Sequence, residues 1–485
     1  MAMNGAGLNA EAVTVEAVEL FEWPYRLRLP FRFGVITVTH GRQAVLRVRI
    51  RTADGRTAEG MAAEALAAKW FDKNPDVSDA QNLEQLRLAL EIASGLYRAS
   101  TPRTPFRLFA DHYADQIAEG ARRGLPPLVA SYGPALLDRA VADALCRARG
   151  VNFYEAVRRN LLGIEAHPIV PDLAEFDLGP FLGSLAPSDR IHVRHTVGLV
   201  DPITAADQAE GTRVEDGLPE TLEEVVATYG HRYYKLKVGG NVAADVDRLA
   251  RIAGVLDLQG HDYAVSLDGN EQYADEGAVL ELWRAMRAEP RLRRLVASIL
   301  YIEQPIKRQN ALSAPVTKLA AERPVILDES DGELDAFPAG RSLGYRGVSS
   351  KNCKGFYKSI LNLARCRMWN GLEGEGTYFM SAEDLTTQAG LSVQQDLALV
   401  NLLGLVHVER NGHHFIDGFA GRPEAEARAF LAAHPDLYHE QDGRVRMRIT
   451  AGEAHIGSLA CPGFGAAAAP DVAAMEPMKR AEWAG

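Results

Sequence analysis

The sequence predicts an α/β protein in which strand and helix alternate through the centre of the chain, with a separate α+β unit ahead of them. Three observations lead there. Between Tyr233 and Lys354, short apolar runs repeatedly arrive at a charged residue: Tyr233-Tyr234-Lys235-Leu236-Lys237, Tyr263 to Asn270, Tyr301 to Pro305, Pro324 to Ser330 and Gly347 to Asn352. The gaps carry helical spacing, as in Val246-Leu249-Ile252-Ala253-Leu256, so the segment reads as βα units in series. Upstream, alternating runs give way to a block of helical patterns. Right-handed crossovers curl βα units into a parallel barrel or a doubly wound sheet, and in a barrel all strand ends face one mouth.

Composition narrows the function. The 485 residues suit two or three domains, and 47% hydrophobic with 24% charged residues is ordinary for a globular chain. A net charge of −11 argues against nucleic acid as partner, because phosphate binding needs a basic face. Cys146, Cys353, Cys366 and Cys461 are far apart and lack zinc spacing, which fits free thiols in a reducing compartment. No apolar run approaches the roughly 20 residues of a membrane span and no basic leader precedes an apolar core. A cytoplasmic location without membrane contact is therefore expected.

In chain order, residues 1–10 read as a flexible tail. Val13 to Leu20 alternates, Leu29 to Val35 reads as a connection, and Val45 to Ile50 runs through Asp54-Gly55 into Thr57-Ala58-Glu59-Gly60, a hairpin signal. Helical patterns follow at Leu83 to Ala93 and at Leu136 to Leu145, the second between Pro134 and Gly150. These residues, 1–160, form the α+β unit. A connector, 161–190, leads to Ile191 to Val197 as a first central strand, followed by a long polar loop from Asp201 to Pro219. Thr377 to Glu383 and Leu402 to Glu409 read as seventh and eighth strands.

The charges at the strand ends would make a site. Asp268, Glu303 and Asp328 are 35 and 25 residues apart, so successive strands can supply them. Three carboxylates around one point need a cation, and hard oxygen ligands select Mg²⁺, with Mn²⁺ as the alternative. Lys237 and Lys351 flank this trio in sequence. Lys235 shares a strand face with Lys237, and repulsion between the two would favour a neutral amine on one of them.

Lys235-Leu236-Lys237, Asp268-Gly269-Asn270, Glu303-Gln304-Pro305, Asp328-Glu329-Ser330 and Lys351-Asn352-Cys353-Lys354-Gly355 stand in an order that resembles the enolase superfamily, in particular its muconate-lactonizing-enzyme branch within the mandelate racemase group. The resemblance covers about Val13 to Gly465 and implies a modified (β/α)₇β TIM-type barrel, 191–420, under an α+β N-terminal capping domain completed by the C-terminal segment. That segment, 421–485, would return to the cap at Pro462-Gly463-Phe464-Gly465 and end in a flexible Ala-rich tail. Loops Phe31 to Thr39 and Leu66 to Lys73 occupy the places of the family's mobile lids, although ordinary packing is the plainer reading of Phe31, Phe33, Trp70 and Phe71.

The resemblance further implies that Lys237 and Lys351 act as bases, brought by burial and neighbours toward a pKa of about 7 to 8, with Lys235 as electrostatic neighbour. Mg²⁺ on Asp268, Glu303 and Asp328 would stabilise the enediolate left when the proton α to a substrate carboxylate departs. Asn270 and Glu329 are expected to support the ligands, Lys354 to follow the sixth-strand base, and Glu409 to hold a substrate amine. The expected reaction is racemisation, epimerisation or cycloisomerisation of a small carboxylate, with acid-sugar dehydration as the alternative, in a homo-oligomer.

Ser381 or Glu383 stands where the racemase branch has a seventh-strand His, which weighs against His-based chemistry. Gly340-Arg341-Ser342-Leu343-Gly344 matches a nucleophile-elbow pattern but is read as a loop. His407, His413 and His414 are set aside as metal ligands because no acidic partner stands at helical spacing.

Overall fold

The structure is a computed structural model and describes residues 10–34 and 36–479; the expected N-terminal tail, apart from Ala10, lies outside these residues. Strands β1 (Val13–Phe33), β2 (Ile36–Thr52) and β3 (Thr57–Ala65) form an antiparallel sheet. Asp54-Gly55 makes the β2–β3 turn as expected, with Gly55 at φ 85°. The first connection is different. Phe31, Arg32 and Phe33 pair with Val38, Thr37 and Ile36, so the stretch read as a lid loop is the tip of a long hairpin, with Val35 itself outside the described residues. An irregularity between Arg26 and Phe31 interrupts the strand pattern that would have revealed it.

Of three helices, Asp79–Ala99, Pro105–Arg122 and Tyr132–Arg149, the first and third cover this sheet and the second packs against them. Ser78 and Gln81 make a capping box on the first, and Gly150 ends the third in the left-handed region at φ 65°. The third helix lies so close to β3 that a Cβ on Gly60 would stand 2.2 Å from the Ala140 carbonyl oxygen. That contact seals the core of the cap.

Eight parallel strands follow: β4 (Arg190–Val197), β5 (Tyr233–Lys237), β6 (Ala264–Asp268), β7 (Ile299–Glu303), β8 (Val325–Leu327), β9 (Gly347–Ser350), β10 (Phe379–Ala382) and β11 (His407–Glu409). They pair in the order β10-β9-β8-β7-β6-β5-β4-β11, and β10 and β11 lie beside one another across the remaining gap. The sheet is thus curled. The expected eighth strand is too long at its start, because Leu402 closes a helix, Leu391–Leu402, that is buried along its whole length. Such a run has no polar side to betray its period, so strand and helix look alike. The Gly340 motif likewise sits at the end of a short helix, Ala336–Ser342, and not in a loop.

The chain then returns to the cap. Phe464 stacks on Phe153 with ring centres 3.6 Å apart, and Gly463 donates to the Val151 carbonyl. The stretch expected as a flexible tail instead buries Ala466 and Met475 and pairs Glu476-Pro477 with Phe21 and Glu22 of β1. Its Ala content hid this, since two ladder pairs suffice to hold an end and leave no pattern in sequence. Among the described residues no helix is long and apolar enough to cross a membrane.

Candidate active site

Parity decides what faces the barrel interior. On β5 the side chains alternate, so Lys235 and Lys237 share the inner face with Leu236 outside. Lys235 lies deeper, and its ammonium reaches Asp268 (2.9 Å), Glu303 (2.8 Å), Glu383 (2.7 Å) and Glu409 (3.1 Å). Burial disfavours its charged form, yet the four carboxylates outweigh burial and raise its pKa well above the ordinary lysine value. The neutral amine expected from Lys235–Lys237 repulsion is therefore not found on Lys235, because the counter-charges around it outweigh that repulsion. Lys237, nearer the mouth, donates to Asp268 Oδ2 at 2.6 Å.

The three acids end or follow adjacent strands. Asp268 closes β6, Glu303 closes β7 and Asp328 follows β8. Local structure fixes each of them. Gly269 passes so close to Pro305 that a Cβ would stand 2.5 Å from its Cα, which ties Asp-Gly-Asn to Glu-Gln-Pro. Gln304, at φ 33°, accepts from the amides of Asp328 (2.8 Å) and Ser330 (3.1 Å). Asn270, at φ 39°, donates its amide N–H to Asp268 and its side-chain NH₂ to Glu329. Two non-glycine residues in the left-handed region beside the acids mark a mouth whose backbone is held by its surroundings.

Lys351 follows β9 and donates to Asp328 Oδ2 at 2.9 Å, while Lys354 reaches Ser349 at 2.8 Å and Asp328 Oδ1 at 3.4 Å. Burial opposes the charge of Lys351, but Asp328 prevails and raises its pKa, opposite to the lowering expected from sequence. Asp328 in turn is driven below the usual carboxylate range by Lys351 and Lys354 in spite of its burial. Glu303 goes the other way: burial and the charges of Asp268 and Glu383 push it well above that range. A buried acid crowded by acids needs a proton or a cation.

The donor set fits a hard divalent ion. It consists of carboxylate oxygens from three successive strands, and one of them, Glu303 Oε2, is buried without a hydrogen-bond partner. The three are not drawn to a single point. Among the described residues the one trio of His, Cys, Asp or Glu whose ligand atoms all lie within 4.8 Å of one another is His195, His231 and His413, because the lysine ammoniums stand between the acids.

Sequence reasoning missed the floor of the site. Arg194 on β4 donates to Glu383, to the Ala382 carbonyl (2.8 Å) and to Ser381 (3.2 Å). Glu409, expected to meet a substrate amine, is held by Lys235, Thr196 and Asn411. An arginine between Val193 and His195 in mid-strand looks exposed in sequence, so only pairing register shows that it points inward. Above the mouth, a cavity of about 540 Å³ is lined by Lys237, Asp268 and Lys351 below and by Tyr25, Phe31 and Trp70 above.

The cap closes this cavity by specific bonds. Lys73 reaches Glu271 (2.6 Å), Glu329 (3.0 Å) and the Asn270 carbonyl (3.3 Å), and Arg308 donates to the carbonyls of Trp70 and Phe71. Of the lid aromatics, Phe71 belongs to the cap core against Tyr132, while Trp70 faces Lys351. Arg28 pairs with Asp216 and donates to Pro219 and Leu218, clamping the long 201–219 loop to β1.

No family model and no curated protein sequence matches the chain. Solved structures do. The muconate lactonizing enzyme from Pseudomonas fluorescens complexed with muconolactone superposes with a TM-score of 0.57 at 17% identity, covering 96% of this chain and 98% of that one. The 2-chloromuconate cycloisomerase from Rhodococcus opacus gives 0.58 at 17%, covering 95% and 97%. The dipeptide epimerase from Cytophaga hutchinsonii, complexed with Mg and D-Ala-L-Val, gives 0.56 at 15%, covering 96% and 98%. At these identities the likeness is one of fold: the chain has an α/β fold with a curled, mostly parallel eight-stranded sheet and an N-terminal cap, and the solved structures similar to it include a member of the enolase superfamily from Roseovarius nubinhibens, with a TM-score of 0.53 at 17% identity, covering 96% of this chain and 98% of that one.

Proposed function

We propose that the protein is a Mg²⁺-dependent enzyme that removes the proton α to a substrate carboxylate, and that it acts as a racemase, epimerase or cycloisomerase. The observation that carries this reading is the pair Lys237–Asp268 and Lys351–Asp328, two buried amines at one cavity, separated in the sheet by β6, β7 and β8. Asp268, Glu303 and Asp328 would hold the ion, which supplies Lewis-acid stabilisation to charge developing on the carboxylate. Lys237 and Lys351 would take and return a proton at the α-carbon from different sides. Lys235 stays charged among its four acids and contributes positive potential beneath the reacting carboxylate. Lys354 and Ser349 fix Asp328, and Asn270 with Glu329 passes the position of the acids to Lys73 in the cap. Closure of the cap excludes water from the amines.

Dehydration of acid sugars is the weaker reading, since Ser381 on β10 and Glu383 just after it are committed to Arg194. The test is a screen of muconates, dipeptides and N-acylamino acids in D₂O with Mg²⁺, following deuterium at the α-carbon by NMR. Exchange that requires Mg²⁺ and falls with Glu303→Gln supports the reading; metal-independent exchange, or none with any α-substituted carboxylate, overturns it.

A further inference from the structure

Outside the carboxylate site, the wall of the barrel holds a cluster of histidines. Arg194 and Thr196 on β4 point into the barrel, toward Glu383 and Glu409, so His195 between them faces outward, toward the helical layer. His231 enters the same space at the start of β5, after the helix Leu222–Tyr229. His413 comes from the turn that follows β11. The ring centres form a nearly equilateral triangle, with His195 5.5 Å from His231 and 5.8 Å from His413, and His231 5.6 Å from His413.

Hydrogen bonding leaves these rings unsatisfied in an informative way. His231 Nδ1 bonds the Val193 carbonyl at 3.1 Å, which places its proton on Nδ1 and leaves Nε2 with a lone pair, buried and without a partner. His195 Nδ1 is also buried without a partner, and His413 leans on the Arg410 backbone without either ring nitrogen making a hydrogen bond of ordinary geometry. Burial depresses the pKa of all three rings, so each offers a lone pair at neutral pH. A buried ring nitrogen left unpaired has lost its hydration and gained no partner, which is costly. A shared cation would satisfy them together.

We infer that His195, His231 and His413 form a second metal site, for a borderline transition ion such as Zn²⁺, separate from the carboxylate site. The donors are all imidazole nitrogens, which suit Zn²⁺ and select against Mg²⁺. Tetrahedral Zn–N bonds of about 2.0–2.1 Å put nitrogens about 3.4 Å apart. The ligand atoms already lie within 4.8 Å of one another, so small side-chain rotations complete the triangle, and water takes the fourth position. His413 is the least buried of the three. The ion would pin the first, second and eighth barrel strands together and fix the turn whose Phe415 packs 4.5 Å from Phe31 of the cap.

The experiment titrates tag-free, full-length protein with Zn²⁺, and separately with Co²⁺, in excess Mg²⁺. One equivalent should bind, Co²⁺ should show the intense visible bands of a low-coordinate nitrogen site, and Zn²⁺ should raise the melting temperature. His413→Ala, at the half-buried position least able to disturb folding, should weaken Zn²⁺ binding by roughly ten-fold or more and remove the visible bands, and His231→Gln should do the same. Far-UV circular dichroism checks that both variants fold. Zn²⁺ affinity and Co²⁺ spectra unchanged in a folded His413→Ala protein would overturn the proposal, as would wild-type protein that binds no Zn²⁺. The readouts do not involve the enzymatic reaction, so the site stands or falls separately from it.

Discussion

Lys351 Nζ lies 4.8 Å from the centre of the Trp70 ring and 2.9 Å from Asp328 Oδ2, so one ammonium joins the cap to the acids at the barrel mouth. A desolvated cation–π contact is worth about 2 kcal/mol. Trp70→Leu should therefore slow Mg²⁺-dependent α-proton exchange by about ten- to thirty-fold, and Trp70→Phe, which keeps an aromatic face, should lose much less. Equal losses in the two variants would mean that Trp70 acts by filling space.

The second expectation concerns closure. Lys73 holds the 66–73 segment to Glu271 and Glu329 across the mouth. Lys73→Met should speed proteolytic nicking of residues 66–73 several-fold while leaving the melting temperature of the rest of the chain little changed. Because closure orders such segments, a tight carboxylate ligand should protect the wild type more than the variant. Cleavage insensitive to both ligand and substitution would make this segment a fixed part of the cap.

Lys235 lies beneath the two proposed bases and holds four acids together. Removing its charge leaves Asp268, Glu303, Glu383 and Glu409 buried without their common partner, a change that costs on the order of 3–5 kcal/mol. Lys235→Met should show that loss in denaturant unfolding without metal, and Mg²⁺ should restore part of it. A variant as stable as wild type at neutral pH would contradict the four-acid cage.

Asp201 gives a pH dependence. Burial raises its pKa from 3.8 to about 6, against its bond to the Gly198 amide. The folded chain thus holds a proton that the unfolded chain releases, so this residue costs nothing below about pH 4 and its cost grows as pH rises to about 6, reaching about 3 kcal/mol. Asp201→Asn should be more stable than wild type at pH 7, by on the order of 2 kcal/mol, and equal to it near pH 4. A constant difference across that range would reject the shift.

Legibility followed from where each group carries its partners. Asp268, Glu303 and the lysines could be found because a charge at the end of an apolar run is costly to bury unless something at the strand end meets it, and the alternation of β5 put Lys235 and Lys237 on one face. What Lys235 does in the folded chain could not be read, because its charge state depends on Glu383 and Glu409, which lie 148 and 174 residues further along the chain. Trp70 and Phe71 are neighbours of equal hydrophobicity, and only the turn at Ala68–Phe71 sends one to the mouth and the other to the core. His195, His231 and His413 share no spacing at all, since β4, β5 and the turn after β11 meet only when the sheet curls.

In the proposed mechanism Lys237 and Lys351 address the α-carbon from different sides. With a substrate from the screen, each single Ala variant is incubated in D₂O with Mg²⁺ and each enantiomer in turn, and deuterium at the α-carbon is followed by NMR. Neither variant should invert the centre; Lys351→Ala should exchange the α-proton of one enantiomer only, and Lys237→Ala that of the other only. A variant that keeps nearly full turnover would show that its lysine is no base and would contradict the two-sided site.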